Sequence, residues 1–69
     1  MNTGTIKFYN RQKGYGFIVP DNGNGDVFVH ANNMDKRVES RIDQGVRVEY
    51  DLKDDPKRGR QFADNVSII

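Results

Sequence analysis

Apolar residues fall in short segments whose side chains alternate between faces, separated by polar turn clusters, and no stretch of helical length keeps a helical period. Thr5–Tyr9, Tyr15–Val19, Val27–His30, Val46–Leu52 and Gln61–Ile69 each read as a strand. Between them lie clusters of turn-forming residues: Asn10-Arg11-Gln12-Lys13-Gly14, Asp21-Asn22-Gly23-Asn24-Gly25-Asp26 and Asp54-Asp55-Pro56-Lys57-Arg58-Gly59. The stretch 31–44 differs from the rest. It is too polar for a buried helix, and it predicts one helical turn around Asn32–Met34 followed by an open loop.

Five short strands with one long crossing between the third and fourth predict an all-β fold, a five-stranded antiparallel Greek-key barrel of the OB-fold type. Closure hides the edges that a flat sheet of this size would expose. Strand side chains alternate between faces. Val27 and Val29 share one face with Gly16 and Ile18 of the preceding strand, while Tyr15, Phe17, Phe28 and His30 share the other. Ile6, Ile18, Val27, Val29, Val48, Leu52, Val66 and Ile68 suffice to fill a small barrel. If they point inward, the aromatic face points outward. The pattern alone leaves two readings of the rings, as core or as an exposed platform, and an exposed apolar patch marks a binding surface.

Composition narrows the picture. Sixty-nine residues predict one domain spanning 1–69, with a thin core at 35% hydrophobic residues. Cys is absent, which excludes a disulfide scaffold and Cys-ligated zinc. There is no apolar run of membrane-spanning length and no signal-peptide pattern at the N-terminus, so the expectation is a cytoplasmic protein without membrane association. Net charge is only +1, yet residues 1–20 carry Lys7, Arg11 and Lys13 and no carboxylate. Flat rings beside cations suit a polymer that alternates bases with phosphates.

The motifs are more specific than the composition. Lys13-Gly14-Tyr15-Gly16-Phe17-Ile18 fits the RNA-binding pattern K/R-G-F/Y-G/A-F-V with Ile in the last place, and Val27-Phe28-Val29-His30 fits its companion. An RNA recognition motif needs two helices that this chain lacks. Gly4-Thr5-Ile6-Lys7-Phe8-Tyr9-Asn10, Asp26–His30 and Ala63-Asp64-Asn65-Val66 complete a pattern that resembles the cold-shock domain family over nearly the whole chain. The resemblance implies binding of single-stranded RNA and single-stranded DNA with low sequence selectivity, and RNA-chaperone activity. It implies a site of Lys7, Phe8, Lys13, Tyr15, Phe17, Phe28 and His30, with Asp26 and Arg58 beside it and Tyr9 and Asn10 flanking it. No cofactor, metal or second subunit is implied.

The chain departs from the family pattern at several places. Phe8 stands where the family most often has Trp, Ala31 where many members have an aromatic, and 35–41 holds no aromatic. Arg37 and Arg41 in that loop either stack on bases or remain solvated. Strict alternation puts Ile6 and Phe8 on one face, whereas the resemblance needs them on opposite faces. A β-bulge at Lys7–Phe8 reconciles the two; without it Phe8 is core and Tyr9 takes the outer place. The acidic turn residues lack calcium-loop spacing and read as side-chain turn formers. His30, the only His, has neither a metal-ligand partner nor a nucleophile partner in the pattern, and an enzyme is not expected. A sequence-selective regulator and a peptide-binding barrel are the competing functions. Base-order series separate the first from a chaperone, and salt dependence separates the second.

Overall fold

The computed structural model describes residues 2–69, and in it strand follows strand wherever the sequence alternates. β1 spans Asn2–Asn10, β2 Tyr15–Pro20, β3 Val27–His30, β4 Arg47–Asp55 and β5 Arg60–Ile68. They close a barrel in the order β1-β2-β3-β5-β4. Four seams are antiparallel. The fifth, between β3 and β5, is a short parallel one holding only Phe28↔Phe62 and Val29↔Ala63.

The interior is aliphatic. Ile6, Ile18, Val27, Val29, Val48 and Val66 are buried as expected, joined by Ile42, Tyr50 and Ala63. Two expected core residues sit elsewhere. Leu52 is 39% exposed because, among the described residues, β1 partners β4 only as far as Asn2↔Tyr50. Leu52 therefore lies on the part of β4 that pairs with β5 alone, opposite Ala63. Ile68, near the chain end, is half-buried against the core.

The long crossing is more ordered than its polarity predicts. The helical turn falls at Ala31–Asn33, a 3-10 turn. The expected open loop contains a short helix, α1, at Lys36–Glu39. The Asp35 carboxylate accepts from the Val38 amide at 3.0 Å, capping its start. Val38 packs against the core. At its other end, the Arg11 guanidinium donates to the carbonyls of Glu39 (2.9 Å), Ser40 (3.4 Å) and Ile42. Those bonds hold Ile42 where it can be fully buried.

One local irregularity sets the outer surface. Ile6 pairs with Ile18, but Phe8 pairs with Phe17, so Lys7 is an extra residue in β1. Ile6 points into the core at 1% exposure and Phe8 points out at 41%. This is the bulged alternative of the two that alternation left open.

Candidate functional site

Each ring on the outer face is placed by strand pairing. Tyr15 pairs with His30 and Phe17 with Phe28 across β2–β3, and Phe17 pairs with Phe8 across β1–β2. Residues directly opposite on antiparallel strands bring their side chains together on one face. The result is a continuous cluster of five rings. Centroid separations are 5.8 Å for Phe8–Tyr15, 6.4 Å for Phe8–Phe17, 6.3 Å for Tyr15–Phe17, 6.0 Å for Tyr15–Phe28, 5.8 Å for Phe17–Phe28 and 6.5 Å for Phe28–His30.

The rings fall into two orientations. Phe8 and Phe17 lie within 20° of parallel, and Tyr15 and Phe28 within 19°. Each set meets the other edge to face, at 73° to 90°. Edge-to-face contacts satisfy the ring quadrupoles and prop the rings up from the sheet. None of the five belongs to the core. Tyr15, Phe17, Phe28 and His30 are half-buried.

His30 has a second task. Its Nδ1 accepts from the Asn32 amide at 3.1 Å, and its own amide donates to Asn33 Oδ1 at 3.2 Å. Together these cap the 3-10 turn and fix the imidazole at the end of the ring row. Gly14 leads into the row in a left-handed conformation, φ +72°, and its carbonyl accepts from the Ala31 amide at 2.8 Å. The turn that carries Lys13 is held by Asn10, whose Oδ1 accepts from the Lys13 amide at 3.0 Å.

The cations are less available than a count suggests. Lys7 is ion-paired to Asp26 at 2.8 Å. Arg58 approaches Asp55 within 3.7 Å. Arg11 holds the carbonyls of 39–42, so only Lys13 of the three N-terminal cations makes no side-chain ion pair or hydrogen bond among the described residues. Tyr9 stands apart from the rings. It packs against the core, and its hydroxyl donates to Glu39 at 3.2 Å. Burial first, then Glu39, pushes its pKa up to about 12. Arg37 and Arg41 border a separate groove with Val38 and Ile68.

The acidic turn Asp21–Asp26 works partly as expected. Asn22 Oδ1 accepts from the Asn24 amide at 3.0 Å, a side-chain turn bond. Asp21 and Asp26 instead reach across to Arg47 and Lys7.

Two residues beside the rings were not singled out from sequence. Arg60 lies over Phe28, its guanidinium carbon 4.1 Å from the ring centroid. Phe62, opposite Phe28 on β5, lines a hollow of about 260 Å³ with Phe28, His30, Asn32, Asn33, Asp55 and Arg58. Alternation in the last strand carries no signal for either, since the parallel seam that brings β5 to β3 is a tertiary choice. Among the described residues, no helix is long and apolar enough to cross a membrane.

The model of the 'Cold-shock' DNA-binding domain matches residues 2–69. The chain is 46% identical over 66 residues to the cold shock protein CspA of Rhizobium meliloti (strain 1021), covering 96% of each. It is 41% identical over 67 residues to the cold shock-like protein CspA of Shewanella violacea, covering 97% of this chain and 94% of the relative. It is 38% identical over 66 residues to the cold shock-like protein of Aquifex aeolicus, covering 96% and 91%.

Proposed function

The chain belongs to the cold-shock domain family, a nucleic-acid-binding and non-enzymatic family, and from that premise we propose that it binds single-stranded RNA and DNA with low sequence selectivity and acts as an RNA chaperone. The observation that carries this reading is the row of five rings standing outside a barrel already filled by aliphatic side chains.

Unpaired bases stack on Phe8, Tyr15, Phe17, Phe28 and His30. Stacking tolerates any base, because every base has a π-face, and each stack is worth about 1–3 kcal/mol. The two ring orientations support a preference for single strands. Phe8 and Phe17 stand nearly at right angles to Tyr15 and Phe28, so bases stacked on the two sets take different planes, unlike the parallel bases of a stacked duplex. Lys13 meets phosphate directly, while Lys7 and Arg58 exchange Asp26 and Asp55 for phosphate. Asn10 and Tyr9 act from the flank, the first by holding the Lys13 turn and the second by bracing α1. The protein holds strands open by mass action, consumes no nucleotide and works as a monomer in the cytoplasm.

The test is a titration of a short unstructured pyrimidine strand against a fully paired hairpin of equal length, at several salt concentrations. The strand binds at least tenfold more tightly, and its affinity falls steeply with salt. Equal affinity for the hairpin overturns the chaperone mechanism. Affinity indifferent to salt points to a peptide-binding groove instead.

A further inference from the structure

Arg60 differs from its cationic neighbours. Lys7 and Arg58 pair with carboxylates, whereas among the described residues Arg60 makes neither an ion pair nor a side-chain hydrogen bond. Its guanidinium carbon rests 4.1 Å from the centroid of Phe28. That ring is bordered by Tyr15, Phe17 and His30 at 6.0, 5.8 and 6.5 Å. A guanidinium at that distance fills the volume a stacked base needs, so base and guanidinium exclude one another on that face.

Arg60 is also free to leave. It is exposed, at the first position of β5, directly after the 56–59 tip, where Gly59 has φ +65°. An exposed cation–π contact biases a side chain by only about two- to fivefold. A guanidinium–phosphate pair is charge-assisted and two-pronged, and is the stronger of the two.

We propose that Arg60 is a strand-binding residue stored on Phe28: in the free protein it covers the ring, and an arriving base displaces it onto a phosphate of the same strand. The inference rests on the single-strand reading above and adds a residue and an exchange to it. In the free protein Arg60 covers Phe28 most of the time, which weakens binding of neutral aromatic ligands at that ring by about two- to fivefold.

The experiment compares wild type, R60A and R60K on an oligothymidylate and on the same sequence with a neutral methylphosphonate backbone. For the natural strand, the slope of log affinity against log salt becomes shallower by about one in R60A, and R60K retains it. For the neutral strand, which offers no anion in exchange, R60A binds about two- to fivefold more tightly than wild type. The inference needs both shifts, and either measurement unchanged in R60A overturns it. If wild type binds neither strand, the single-strand reading falls and takes this inference with it. If wild type binds and R60A matches it, the inference alone falls.

Discussion

Ile6 and Phe8 are two residues apart on one strand and stand on opposite sides of the barrel wall, the first 1% exposed and the second 41%. The extra residue between them, Lys7, makes the crossing possible. Truncating either side chain therefore has opposite consequences. Ile6→Ala leaves a cavity among Ile18, Val48 and their neighbours and costs about 2–5 kcal/mol of stability. Phe8→Ala leaves the unfolding transition nearly unmoved and weakens single-strand binding by about 1–3 kcal/mol. Denaturant unfolding and strand titration on the same two variants check this. A Phe8→Ala chain that loses folding rather than binding contradicts it.

Phe17→Ala and Phe28→Ala follow the same logic, because neither ring belongs to the core. Each weakens strand binding by about 1–3 kcal/mol. Phe28→Ala also releases Arg60, so its loss is the smaller of the two on a phosphate-bearing strand. Titration of both variants with one oligonucleotide gives the order, and the reverse order counts against Arg60 resting on the ring.

Much of this surface is legible in the sequence. Period-two alternation in Tyr15–Ile18 and Val27–His30 separates aliphatic from aromatic faces, and the structure keeps that separation. Residues whose position depends on tertiary contacts are not legible. Ile42 lies in a stretch whose polarity reads as an open loop, and it is core because Arg11 and α1 deliver it. Leu52 has the right periodicity but, among the described residues, lies beyond the last pairing of β4 with β1. The uses of Arg11 and Arg60 depend on carbonyls and a ring that are distant in sequence, so charge counting gives Arg11 the same weight as Lys13 and leaves Arg60 unmarked in the net-acidic remainder.

Gly16 packs against the bulge. A Cβ there meets the Phe8 carbonyl oxygen, and lies 2.8 and 2.9 Å from the ring and Cα of Tyr9. Two of those three contacts are backbone, so β1 itself must shift. Gly16→Ala lowers stability by about 1–3 kcal/mol through overpacking. It also displaces Phe8, so strand affinity falls with it. Unchanged stability in thermal unfolding means the bulge is softer than this packing implies.

Asp21 makes the acid limb of stability measurable. Arg47 donates to both its oxygens at 2.7 Å, and the Thr3 hydroxyl donates to one of them at 2.7 Å. These bonds hold its pKa down to about 2, below the ordinary 3.8. Between those values the unfolded chain takes up a proton that the folded one refuses, so stability falls as pH falls. The contribution is complete above the ordinary carboxylate range and gone below about pH 2. Asp64 acts in the same direction, its carboxylate favoured first by the Asn65 amide. Asp21→Asn gives a shallower acid limb in denaturant titrations. The difference from wild type shrinks with added salt, because the pair is exposed.

Arg11 separates a structural cation from a ligand-binding one. Its guanidinium reaches three carbonyls of the 39–42 segment, and the Tyr9 hydroxyl meets Glu39 of the same segment. Removing the fork leaves those carbonyls to water and loosens the segment that delivers Ile42. Arg11→Ala therefore costs about 1.5–3 kcal/mol, the range for hydrogen bonds to a charged group. It also speeds hydrogen exchange at the amides of Ser40, Arg41 and Ile42, which bond to carbonyls of Lys36, Val38 and Glu39. Arg11→Lys does not restore protection, because an ammonium lacks the planar fork. A phosphate-binding arginine behaves differently: its loss makes the salt dependence of strand affinity shallower by about one and leaves unfolding alone. Arg11→Ala is expected to keep the wild-type salt dependence while it melts earlier.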